Sequence, residues 1–93
     1  MNTIHIEIGC CPGSPRPIDY LTNMLKTLQK SENPFIVEWA KNYETNPPDC
    51  STIFGDMSCF LNVTPNIEND VKNFFENHLK NLYYSGAIRY ASW

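Results

Sequence analysis

The chain reads as an α+β domain, residues 1–93, built as a ferredoxin-like βαββαβ two-layer sandwich, and three observations predict it. Segments near 3–9, 52–63 and 87–92 are β-prone, with apolar and polar residues alternating most cleanly in the first. Segments 17–30 and 65–84 instead repeat apolar residues at helical spacing. Both helical segments are apolar along one stripe only, which suits packing on one face of a single sheet. With a strand at 34–41, the order becomes strand–helix–strand–strand–helix–strand, that of a split βαβ sandwich with four antiparallel strands. A fold of this kind hosts many unrelated functions and by itself assigns none.

Each element has a local reason. In 3–9, Ile4, Ile6 and Ile8 share one face while Thr3, His5 and Glu7 share the other, the pattern of a half-buried strand. Three prolines and a glycine between Cys10 and Pro17 end it. Pro17 suits a first helical position, and Ile18, Leu21, Met24, Leu25 and Leu28 form the stripe behind it. Segment 34–41 carries two patterns. Phe35, Val37 and Trp39 alternate as in a strand, and the β-branched and aromatic run favours that state. Ile36, Trp39, Ala40 and Tyr43 also trace a helical face behind Asn33-Pro34, so the alternative is an α+β domain with 34–44 as a third helix.

Residues 52–63 read as a strand with a bend or bulge at Gly55-Asp56, firmest over Cys59–Val63. Thr64-Pro65 opens the second helix, whose stripe is Ile67, Val71, Phe74, Phe75, Leu79 and Leu82 with His78 beside it. Gly86 ends it as a left-handed cap, and 87–92 forms the last strand.

Hydrophobic residues at 42% against charged residues at 18% exclude a disordered chain. The apolar runs are too short for a membrane helix. The first residues show neither a basic region nor an apolar stretch of a secretory signal, so a cytoplasmic protein is expected. A pI near 5.2 argues against direct nucleic-acid binding. With no secretory context, Cys10, Cys11, Cys50 and Cys59 read as reduced thiols packing as small hydrophobes.

Chemistry has few footholds. Cys11-Pro12-Gly13-Ser14 has the Cys-Pro-x-Ser form of a one-thiol glutaredoxin site, and it lies between a strand and a helix. Pro15 and Pro17 push the helix start beyond the thiols, however, and no Cys-x-x-Cys pair accompanies them. His5 and His78 have no zinc-like spacing to any cysteine. Four scattered glycines make no phosphate loop. No catalytic residue, cofactor or metal ligand is assigned.

Charge is the remaining pointer. Residues 42–71 hold five carboxylates (Glu44, Asp49, Asp56, Glu68 and Asp70) and no lysine or arginine, against a formal net charge of −3 for the whole chain. A one-signed surface steers oppositely charged molecules. The expected function is a small protein-binding domain acting by occlusion, an inhibitor such as a toxin-immunity protein or a phage anti-defence protein. The five carboxylates would face a protein with a basic surface, of which a nuclease with a basic cleft is an example. That analogy rests on size and charge. The alternatives are a thiol-dependent, redox-type enzyme using the Cys10–Ser14 loop, and an assembly subunit pairing through a sheet edge. The aromatic cluster Tyr83, Tyr84, Tyr90 and Trp93 is a further candidate contact surface.

Overall fold

Three X-Pro dipeptides open the helices of this chain. In the computed structural model, which describes residues 2–10, 16–53 and 55–92, Pro17, Pro34 and Pro65 are each the first helical residue. A proline there sacrifices only an N–H that has no helical partner, and its fixed φ is already helical. The elements run β1 (Asn2–Cys10), α1 (Pro17–Leu28), α2 (Pro34–Thr45), β2 (Asp49–Ile53), β3 (Asp56–Val63), α3 (Pro65–Tyr84) and β4 (Ile88–Ser92). The class is α+β, with three helices and a four-stranded sheet whose neighbouring strands are all antiparallel.

Two expectations are corrected here. Residues 34–41 form part of helix α2, not a strand. The Asn33 side chain accepts a hydrogen bond from the Phe35 N–H at 3.0 Å, and the helix buries Ile36 and Ala40, one turn apart, while Phe35 stays exposed. The strand alternation in this run thus yields to a capped start and a helical burial stripe. Residues 52–63 are likewise not one strand but the two arms of a hairpin, β2 and β3, turning at Gly55 with φ 85°.

The sheet order is β2-β3-β1-β4. Central strand β1 pairs with β3 from Asn2↔Val63 to Gly9↔Asp56 and, among the described residues, with β4 over Glu7–Cys10. Both β1 and β2 are antiparallel to β3, so they run parallel to each other with β3 between. Period two then sorts the side chains. Ile4, Ile6, Ile8, Met57, Cys59, Leu61 and Val63 face the helices and are buried. Leu21, Met24, Leu25 and Leu28 of α1 and Ile67, Val71, Phe75 and Leu79 of α3 complete this core. Each such side chain contributes about 1.5–3 kcal/mol on leaving water. Among the described residues no polar or charged side chain is buried.

The hairpin also overturns the reading of all four cysteines as thiols. Cys50 and Cys59 are register partners across β2 and β3, with Cα atoms 4.2 Å apart, and form a disulfide. While 52–63 is read as one strand, nothing places Cys50 opposite Cys59. Cys11 lies outside the described residues.

Helix α2 also closes an edge. Beyond the Asp49↔Phe60 pair, no strand among the described residues neighbours β3 on the β2 side. There the Asn62 N–H donates to the Tyr43 hydroxyl at 2.7 Å, and the Trp39 indole N–H donates to the Asn62 carbonyl at 2.7 Å. Two aromatic side chains satisfy backbone groups that a fifth strand would otherwise take.

Candidate interaction surface

The helices all pack on one face of the sheet, and among the described residues no element covers the opposite, open face. Its side chains are the alternate residues of the same strands: His5 and Glu7 from β1, Ser58 and Phe60 from β3, Asp49, Ser51 and Ile53 from β2, and Tyr90 from β4. Phe60 is 49% exposed and Ile53 66%.

Contacts on this face are specific. The His5 ring stacks on Phe60 with centroids 4.6 Å apart and planes 8° from parallel. His5 Nε2 lies 2.6 Å from Ser58 Oγ and 3.4 Å from a Glu7 carboxylate oxygen. Both approach the same ring nitrogen. In a Ser-His-acid triad the acid holds the other nitrogen, so this cluster is not that arrangement. Tyr90 lies over Gly9, where a Cβ would collide with its ring. Burial first, and then the Asp56 carboxylate with its hydrogen bond, raise the Tyr90 hydroxyl above the ordinary tyrosine value. Asp56 also pairs with Arg89, the residue at the register shift between β1 and β4.

The five carboxylates of the acidic segment are distributed over both sides. Asp49 and Asp56 lie on the open face, paired with Phe60 and Gly9 respectively in the ladder. The four-residue step from Phe60 to Asp56 puts them about 13 Å apart along the sheet. Glu44, Glu68 and Asp70 lie on α2 and α3. Glu44 accepts from the Gln29 amide at 2.8 Å. Glu68 takes the Asn2 amide and, at 3.2 Å, the Lys72 ammonium, and these two partners hold its carboxyl below the usual range. Glu7, from outside the acidic segment, joins Asp49 and Asp56 on the open face. Its signal was present in the alternation of β1, as was that of His5. Phe60 could have been found from its place between buried Cys59 and Leu61.

Cations are segregated as well. Lys26, Lys41, Lys72 and Lys80 are on helices and Lys30 is in the turn after α1. Arg16 precedes α1 and pairs with Asp19 at 3.6 Å. Only Arg89 belongs to a strand. Beyond Tyr90 the aromatic surface continues into a cleft of about 390 Å³ between α3 and β4, walled by Tyr83, Tyr84, Glu76 and Lys80. Trp93, grouped with these tyrosines on sequence, lies outside the described residues, as do Cys11–Ser14 of the thiol loop.

Among the described residues no group of His, Cys, Asp and Glu could hold a metal ion, and no helix is long and apolar enough to cross a membrane. No family model, curated protein or solved structure matches this chain.

Proposed function

We propose that the chain is a protein-binding domain that acts by occlusion, covering a basic and partly apolar surface of its partner with the open face of its sheet. One observation carries this reading: exposed Phe60 and Ile53 sit among Glu7, Asp49 and Asp56 on a face from which every lysine is absent. Phe60 beside Asp49 at one end and Ile53 beside Asp56 at the other supply apolar contact area, while the carboxylates speed encounter with a basic surface. An inhibitor of the immunity or anti-defence kind uses binding of this sort without chemistry of its own. The strand order, read from β4 as 4-1-3-2, supports placing the domain among ferredoxin-like sandwiches with one added helix in the first crossover.

The test is selection of a random peptide library on the immobilised protein, counter-selected on an Ile53→Ser, Phe60→Ser double variant. Enriched peptides should interleave Arg or Lys with apolar residues and lose at least about tenfold in affinity for the double variant. Peptides that bind both proteins alike would remove the open face from consideration.

A second reading, an assembly subunit that pairs through a sheet edge, is favoured by β1. Among the described residues β4 pairs only with Glu7–Cys10, which leaves residues 2–5 of β1 without a strand on that side.

A further inference from the structure

We infer that the Cys50–Cys59 disulfide is a redox switch that assembles or releases the β2 border of the open face. The inference rests on reading that face as the binding surface, and it adds the control of that surface.

Little besides the disulfide and one ladder holds β2. It is an edge strand with β3 as its one neighbour. Of its five residues only Cys50 is even partly buried and packs against the core; Asp49, Ser51, Thr52 and Ile53 are exposed. Among the described residues its main attachments are the ladder to β3 and, at Cys50 alone, the bond to Cys59 and packing on the core. The other arm of the hairpin is held differently. β3 pairs with β1 over eight positions and buries Met57, Cys59, Leu61 and Val63. Breaking the disulfide therefore acts on one side: β3 stays in the sheet and β2 is free to leave it. Asp49, Ser51 and Ile53 leave with it, removing one of the carboxylates and one of the exposed apolar side chains of the face.

The exchange is chemically direct. A dithiol reductant attacks as its thiolate at the sulfur of Cys50, which is half-buried, while Cys59 is fully buried. The S–S bond breaks, a mixed disulfide forms at Cys50, and Cys59 leaves as a thiolate that takes up a proton. The second thiol of the reductant then displaces Cys50 as its thiol and becomes the oxidised disulfide. Two protein thiols are gained and one dithiol is oxidised. The disulfide closes only a short loop, with a sequence separation of nine, so its constraint falls on the hairpin and not on the whole chain.

Amide hydrogen exchange on the free protein, before and after dithiothreitol with thiols counted by mass, reads the switch without a partner. Exchange across Asp49–Ile53 should accelerate on the order of a hundredfold on reduction, with β1 and α3 unchanged. A Cys50→Ser variant should show the fast exchange from the outset and no response to dithiothreitol. Unchanged β2 protection after two thiols have appeared would overturn the inference, and so would loss of protection throughout the chain, which marks a plain structural staple. The peptides selected on the oxidised protein supply the second arm. They should bind the reduced form about tenfold more weakly and recover on reoxidation. Equal binding to both forms overturns the control while leaving the binding face standing. If β2 is released but no peptide was ever captured by the oxidised protein, the binding face fails and the strand switch remains.

Discussion

The two faces of one sheet are made from the same strands and have opposite characters. Along β1, Ile4, Ile6 and Ile8 are 1%, 0% and 0% exposed, while His5 and Glu7 between them stand at the surface among Ser58, Phe60 and Asp56. The inner face is closed by the stripes of α1 and α3 and carries no charge. The outer face has acids, one arginine engaged with Asp56, and exposed apolar side chains, but no helix over it. The difference teaches where to look for function in a chain without a catalytic motif. Exposed Phe60 and Ile53 bury little on folding, and under the proposed function a covering partner would account for them.

The comparison breaks most visibly under truncation. Ile6→Ala should cost about 2–5 kcal/mol in chemical denaturation, whereas Phe60→Ala should cost under about 1 kcal/mol, since Phe60 is 49% exposed and stacks on the half-exposed His5 ring. Equal costs would mean that the two faces are not distinct energetically. At the rim between β1 and β4, Gly9→Val should displace Tyr90 and destabilise by about 1–3 kcal/mol, read as a lower melting temperature.

Charge sharpens the contrast further. Asp49→Lys should slow association with a basic peptide several-fold at low salt, with the gap closing as salt rises, because Asp49 is exposed and the Debye length shrinks. Asp56 is the poorer probe, since reversing it also strands Arg89. Indifference to both salt and Asp49 would leave Phe60 and Ile53 to act without electrostatic steering.

The smallest effect is a titration. Asp56→Asn removes a carboxylate that holds the Tyr90 proton on, so the Tyr90 transition in ultraviolet absorbance should move down towards the ordinary tyrosine value. The sign for stability follows from the raised value in the folded state. The contribution of neutral Tyr90 is present below the unfolded tyrosine pKa and is lost as pH climbs through the folded one. Glu68 runs the other way: its lowered carboxyl favours the fold above the unfolded value, and that contribution fades as pH falls through the folded one.

Much of the fold was legible because its signals are local. The isoleucines of β1, the stripe of α3 and Gly86, with φ 82°, after that helix are each readable within a few residues. Helix α2 was not, because Phe35–Trp39 satisfies both periods. The arbiter was which side chains found a core, and Ile36 and Ala40 found it on the side of α2 that packs against α1 and α3. The hairpin was missed because Gly55 reads equally as a bulge or a turn. Of the candidate site, the acidic residues were visible by composition, but their partition was not. Glu44, Glu68 and Asp70 went to helices while Asp49 and Asp56 went to the sheet.

By itself, then, the sequence determined the α+β class, the helix starts at Pro17 and Pro65 and the alternation that divides β1 into two faces, since these depend on backbone sterics and period alone. Only the tertiary structure decided that Cys50 meets Cys59, that His5 lies on Phe60, and that Glu7 shares a surface with Asp49 and Asp56. Those partners are from 9 to 55 residues apart in the chain, and only strand register brings them together. Register is set by which faces are buried and where the hairpin turns, quantities no local window contains.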